Sequence, residues 1–147
     1  MSVLTAARVT QEVHTAEFTW GFADTMLDTA GVSRDFGAAD TAMAFDIINL
    51  PINARVIGGG LVIREAFDTA SYAIIIGDSV DTDRYLATAD RKALTSAAVA
   101  LLVPGYKNTG GLKVRMTIAN ADACTTGIGL VYIQYVIEGS AFRVQPH

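Results

Sequence analysis

Leu112-Lys113-Val114-Arg115-Met116-Thr117-Ile118 alternates apolar and polar residues without a break. In a strand, that period of two places Leu112, Val114, Met116 and Ile118 on an inner face and Lys113, Arg115 and Thr117 on a wet one. Glu17 to Phe22 alternates in the same way, with Phe18, Trp20 and Phe22 sharing one side. Tyr72 to Ile76 is apolar throughout, too short for a helix and rich in β-branched residues, so it reads as a buried strand closed by Gly77. Arg84 to Ala87 resumes the alternation. Met43 to Leu50 is a strand closed by Pro51, which cannot donate to a ladder. Arg55 to Ile57 and Leu61 to Phe67 flank Gly58-Gly59-Gly60, and Gly127 to Ile137 forms a long final strand. About eight short strands joined by Gly, Pro and Asp turns, with no sustained helical period, predict an all-β fold: one antiparallel β-sandwich or jelly roll. Residues 1–14 lack a clear period and read as an N-terminal arm, leaving 15–147 as the sandwich domain.

The connections carry the candidate chemistry. Asp24 to Asp40 holds few apolar residues and is expected to be the longest loop, with one helical turn at Asp24 to Leu27 and contacts to a neighbouring molecule. Ala89 to Ala98 reads as a loop with helical character. The glycine triplet lacks the Gly-Lys-Ser/Thr of a phosphate loop and returns to β-branched residues, so a bulge, a bend or close backbone packing within one long strand is expected. Asp78, Asp81 and Asp83 invite a Ca²⁺ reading, since hard cations take clustered carboxylates. Their spacing is wrong for a calcium loop, and Ala89 stands where its closing Glu would fall. The expectation is a hairpin turn in which Asp78 or Asp83 binds backbone amides or Arg84.

Two strings carry a family resemblance. Ile76-Gly77-Asp78-Ser79-Val80-Asp81-Thr82-Asp83-Arg84-Tyr85-Leu86 resembles a recurring segment of small virion proteins of tailed bacteriophages, and Gly129-Leu130-Val131-Tyr132-Ile133-Gln134-Tyr135-Val136-Ile137-Glu138-Gly139 resembles their closing strand. The chain departs from that pattern after Gly139, where Ser140 replaces an expected basic residue and Arg143 follows later. The resemblance is to capsid decoration, or cement, subunits. It implies a β-sandwich body on the capsid surface, the major capsid protein as partner, and a homo-oligomer, with a trimer favoured over a dimer.

Composition fits that expectation. The 147 residues are 51% hydrophobic and 18% charged, a high apolar share for a free monomer and one that favours burial against other subunits. A net charge of −4 gives no basic balance for nucleic acid. No apolar run reaches membrane-spanning length, and the N-terminus lacks a signal-peptide pattern, so synthesis in a bacterial cytoplasm is expected. Cys124 is alone, which excludes an intrachain disulfide and a thiolate cluster. His14 and His147 both lie near the ends, leaving the body without a histidine base, so the chain is read as no enzyme, without cofactor or metal. Phe18, Trp20, Phe22, Phe36, Tyr132 and Tyr135 are the candidate interface residues. The stripe Phe18/Trp20/Phe22 also supports an alternative, a virion-surface or tail module that binds host carbohydrate by stacking, although core packing suits such large rings as well.

Overall fold

The computed structural model describes residues 12–102 and 105–137. Eleven strands and no helix occur among them: β1 (His14–Gly21), β2 (Thr25–Leu27), β3 (Ser33–Asp35), β4 (Asp40–Ile48), β5 (Ala54–Glu65), β6 (Tyr72–Gly77), β7 (Leu86–Asp90), β8 (Val99–Ala100), β9 (Lys107–Asn108), β10 (Val114–Asn120) and β11 (Ile128–Ile137). Every pairing is antiparallel. One sheet runs β1-β11-β5-β8, with β9 also on β5, and the second runs β4-β10-β6-β7; β2 and β3 form a separate hairpin. The two sheets enclose the core, as the periodicity requires. Of the expected arm, residues 1–11 lie outside the described residues, as do the C-terminal Ser140 and Arg143.

Strand β10 shows the pattern at work: Val114, Met116 and Ile118 are fully buried while Arg115, Thr117 and Ala119 face outward. The strand begins two residues later than the alternation predicts. The Asn108 amide donates to the Leu112 carbonyl at 2.8 Å and its oxygen accepts the Leu112 N–H at 2.7 Å, so the Leu112 N–H is taken before it can join the ladder.

Two loop expectations are corrected. Asp24 to Leu27 is not helical: Thr25–Leu27 is extended and pairs with Ser33–Asp35. The turn between them is built by Asp28, which accepts the N–H groups of Ala30 and Val32 at 2.8 and 2.9 Å, and by Gly31 at φ 79°, a left-handed position that suits glycine. A carboxylate that binds amides two and four residues on favours a turn over a helix. In Ala89 to Ala98 no helix forms either, and β7 runs on to Asp90. The second strand of the central hairpin starts at Leu86 instead of Arg84, because Arg84 is held in the turn by Asp78.

A continuous aromatic stack fills one end of the core. Phe67 lies flat on Tyr72, with centroids 3.9 Å apart and planes at 5°, and Trp20 packs on both Phe67 and Phe36 at 6.3 Å. Trp20 Nε1 donates to Tyr72 Oη at 3.2 Å, which in turn donates to the Phe36 carbonyl at 2.9 Å. Burial drives the Tyr72 hydroxyl's pKa well above its ordinary value, so it acts as a fixed neutral donor. Asn120, also buried, donates to the carbonyls of Gly37 and Ala38, tying the end of β10 to the segment before β4.

Candidate functional site

The six candidate aromatics fall into two groups. Phe18, Trp20 and Phe36 come together, with ring centroids 6.1 to 6.3 Å apart, but inside the protomer: Trp20 and Phe36 are each 1% exposed. Phe18 and Phe22 are half-buried against the same core, and beside Phe18 a hollow of about 220 Å³ is lined by Trp20, Met26 and Phe36. Tyr135 also lies on the inner side of its sheet, stacked on His14 at 5.3 Å. Tyr132 stands apart, on the outer side.

The register explains why. Residues opposite one another in an antiparallel pair share a face. Trp20, Gly129 and Ile63 form one inward row, and Glu17, Tyr132, Gly60 and Ala100 form an outward one. A Cβ on Gly60 would come within 2.8 Å of the Tyr132 hydroxyl, and one on Gly58 within 2.7 Å of Gln134 Oε1. The glycines therefore let both side chains lie down across β5. The triplet also carries the expected irregularity: the register with β11 shifts between Gln134 and Tyr135, skipping Ile57 on β5. Around Tyr132 the outer face continues with Leu130, 8% exposed, and half-buried Val62. That face is mixed: Glu17 lies opposite Tyr132, Thr19 opposite Leu130 and Thr15 opposite Gln134, with Glu65 opposite Ile128 at one end and Arg55 opposite Val136 at the other. Sequence reasoning located the final strand, but not that Tyr132 meets glycine, because the pairing of β11 with β5 cannot be read from either strand alone.

The acidic loop is occupied by its own chain. Asp78, almost fully buried, accepts N–H bonds from Val80 and Asp81 at 2.9 and 2.8 Å and an Arg84 Nε bond at 2.6 Å. Desolvation pushes its carboxyl upward, but Arg84 and the two amides outweigh it and hold the group below its usual value. Arg84 lies over the Tyr106 ring at 3.7 Å, which fixes the other side of the guanidinium. The turn is thus the expected one, with Asp78 as the carboxylate that organises it. Among the described residues no three His, Cys, Asp or Glu side chains are grouped to hold a metal.

A second feature lies on the outer side of the β4-β10-β6 sheet, an open groove of about 540 Å³ between Ala39-Asp40-Thr41 and Ser71, floored by Ala73 and Ala119. No helix among the described residues is long and apolar enough to cross a membrane.

No protein-family model matches the chain, and neither does any curated protein. Solved structures do. A chain of the cyanophage Pam1 capsid asymmetric unit superposes with a TM-score of 0.58 at 20% identity, over 93% of this chain and 92% of that one. A chain of the Bacillus endospore appendages, described as disulfide-linked pili, aligns over 94% of this chain and 100% of that one, at 15% identity and a TM-score of 0.47. What the capsid chain shares with this protein is the fold.

Proposed function

We propose that this protein is a structural subunit of a bacteriophage virion, a decoration or cement protein that binds the outside of the head through the major capsid protein and through copies of itself. The reading is carried by the end-to-end likeness to a chain of the cyanophage capsid asymmetric unit, a chain of nearly the same length with the same sandwich. The two phage-like strings point the same way. The first proves to be a hairpin turn locked by Asp78 and Arg84, and the described part of the second lies in β11, a long strand between β1 and β5 in its sheet. A trimer is favoured over a dimer.

The alternative, a host-carbohydrate module, drew on the Phe18/Trp20/Phe22 stripe as a stacking platform. Trp20, the centre of that stripe, is turned into the core. Quantifying the protein in purified virions separates the two readings. A copy number comparable to that of the major capsid protein is expected, and a few copies per particle would overturn the decoration role.

A further inference from the structure

The edge of a sheet presents a row of N–H and C=O groups, and folded chains usually cover it. Three edges of the two main sheets are covered or short. On the free side of β5, beside β8 and β9, the Thr95 and Leu101 N–H groups donate to the Ile63 and Gly59 carbonyls at 3.0 and 3.1 Å. On β4, the Ala44 carbonyl accepts the Thr29 N–H at 2.9 Å, and the Asp40 carboxylate takes the Ala42 N–H at 3.1 Å. Strand β7 has five residues, and just before it the Tyr85 carbonyl accepts the Leu102 N–H at 2.8 Å. Strand β1 is different. The Phe22 N–H donates to the Gly127 carbonyl at 3.0 Å, so by the alternation of an antiparallel ladder the even-numbered residues of β1 bond β11, while Thr15, Glu17, Thr19 and Gly21 turn their backbone groups to the free edge. Gly21 is capped, its N–H donating to Asp24 Oδ2 at 2.7 Å and its carbonyl accepting the Asp24 N–H at 3.1 Å. The edge groups of Thr15, Glu17 and Thr19 have no partner among the described residues. Beside this stretch, the hollow of about 220 Å³ opens between Phe18 and Trp20 of β1 and Met26 of β2.

We infer that residues 1–11 of a neighbouring copy complete this edge, adding to β1 as a further strand with Val9 seated in the hollow. This rests on the self-association proposed above. An open ladder accepts an extended peptide through its main chain, and side-chain pockets choose which one. Length is sufficient, since Thr15 to Thr19 spans about 17 Å and eleven extended residues reach about 36 Å. From Arg8 to His14 the chain holds no Gly, Asn, Asp or Pro, so pairing with its own β1 has no tight turn to serve it. The side chains are complementary as well. With Val9 turned toward Phe18, Trp20, Met26 and Phe36, the strand period puts Arg8 and Thr10 on the opposite face. Arg8 then reaches Glu17 directly or on the diagonal, whichever way the added strand runs. Donor segment and acceptor edge are different surfaces, so the contact is head-to-tail and builds a ring where its rotation closes.

Amide exchange and charge reversal test the contact on the full chain. In the associated protein the Thr15, Glu17 and Thr19 amides are expected to be protected, and to lose that protection together with mass as the protein is diluted. Arg8→Glu and Glu17→Arg are each expected to weaken association about tenfold, and the double variant to recover most of it. Glu17 is exposed, and circular dichroism checks that the variants fold. Val9→Asp is expected to leave a folded single chain, because the hollow offers an added carboxylate no partner. Protection that persists in a single chain would overturn the inference in favour of the chain's own N-terminal residues. Open amides at Thr15, Glu17 and Thr19 in a protein that light scattering shows as an oligomer would overturn the added strand and leave the oligomer standing. A mass near 15.5 kDa at every concentration, with those amides open, would remove both.

Discussion

Aromatic rings lie over glycines on both sides of the β1-β11-β5 sheet, and the two sides differ in what lies above the ring. Inside, Trp20 covers Gly129 and Phe67 covers Gly127, so tightly that a Cβ on either glycine would enter the ring. Those rings are stacked in turn on Phe36 and Tyr72, and the indole N–H is bonded. Outside, Tyr132 covers Gly60 and Gln134 covers Gly58 by the same device, but both keep a face toward solvent. The missing Cβ serves opposite ends in the two places. In the core it admits a bulky ring between two sheets, whereas on the surface it flattens a sheet into something that another flat or convex surface can approach.

Substitution should separate the two sides in order of effect. Trp20→Ala removes the ring, its hydrogen bond to Tyr72 and the cover of Gly129, and is expected to cost about 3–5 kcal/mol in urea unfolding. Loss of less than about 1 kcal/mol would mean that the inner stack is not the core of the fold. Gly129→Ala is expected to cost about 1–3 kcal/mol, since Trp20 has no room to yield. Gly60→Ala should cost less than about 1 kcal/mol, because Tyr132 can swing outward into water. Equal costs at Gly129 and Gly60 would erase the comparison. Acid leaves the glycine pairs alone and acts on the turns. Asp68 is held down to about 2 by the Thr125 hydroxyl and the Thr126 and Thr125 amides, and Asp28 and Asp78 are also lowered. Depressed carboxylates stabilise the fold fully above their unfolded value of about 3.9 and lose that contribution as pH falls through the folded one. The urea midpoint should therefore stay flat from pH 7 to about 5 and fall between about 4 and 2, and Asp68→Asn should flatten the fall. An unchanged acid slope in that variant would show that Asp68 does not tie its loops together.

How much of this could be read from the chain depended on the range of the cause. Local periodicity located β10, β6 and β11, because the alternation at Val114, Met116 and Ile118 is itself the sign of a half-buried strand. The Asp78 turn was legible for the same reason, since every partner lies within six residues. The β2-β3 hairpin was missed because its strands are three residues each, below the length at which a period shows, and Asp28 and Arg34 reveal their roles only once folded. Among the candidate interface residues, Trp20 on β1 and Phe36 in the turn after β3 belong to one core cluster, although they stand sixteen positions apart. Tyr132 was named from the sequence, but the glycine beneath it was not, since Gly60 is brought there by a pairing between distant strands.

Among the described residues the first strand pairs with the last, and that pairing also sets a clock. His14 lies opposite Tyr135, and Trp20, which seats the inner stack, lies against Gly129. The ladder of β1 cannot form until β11 has been synthesised, so the backbone groups of β1 stay unpaired while the strands between them are made, and Gly129 reaches Trp20 only after Phe36, Phe67 and Tyr72 are in place. Folds dominated by such distant pairings close slowly. Until β11 arrives the β1 edge is open, and in that interval nascent chains are most prone to stick together.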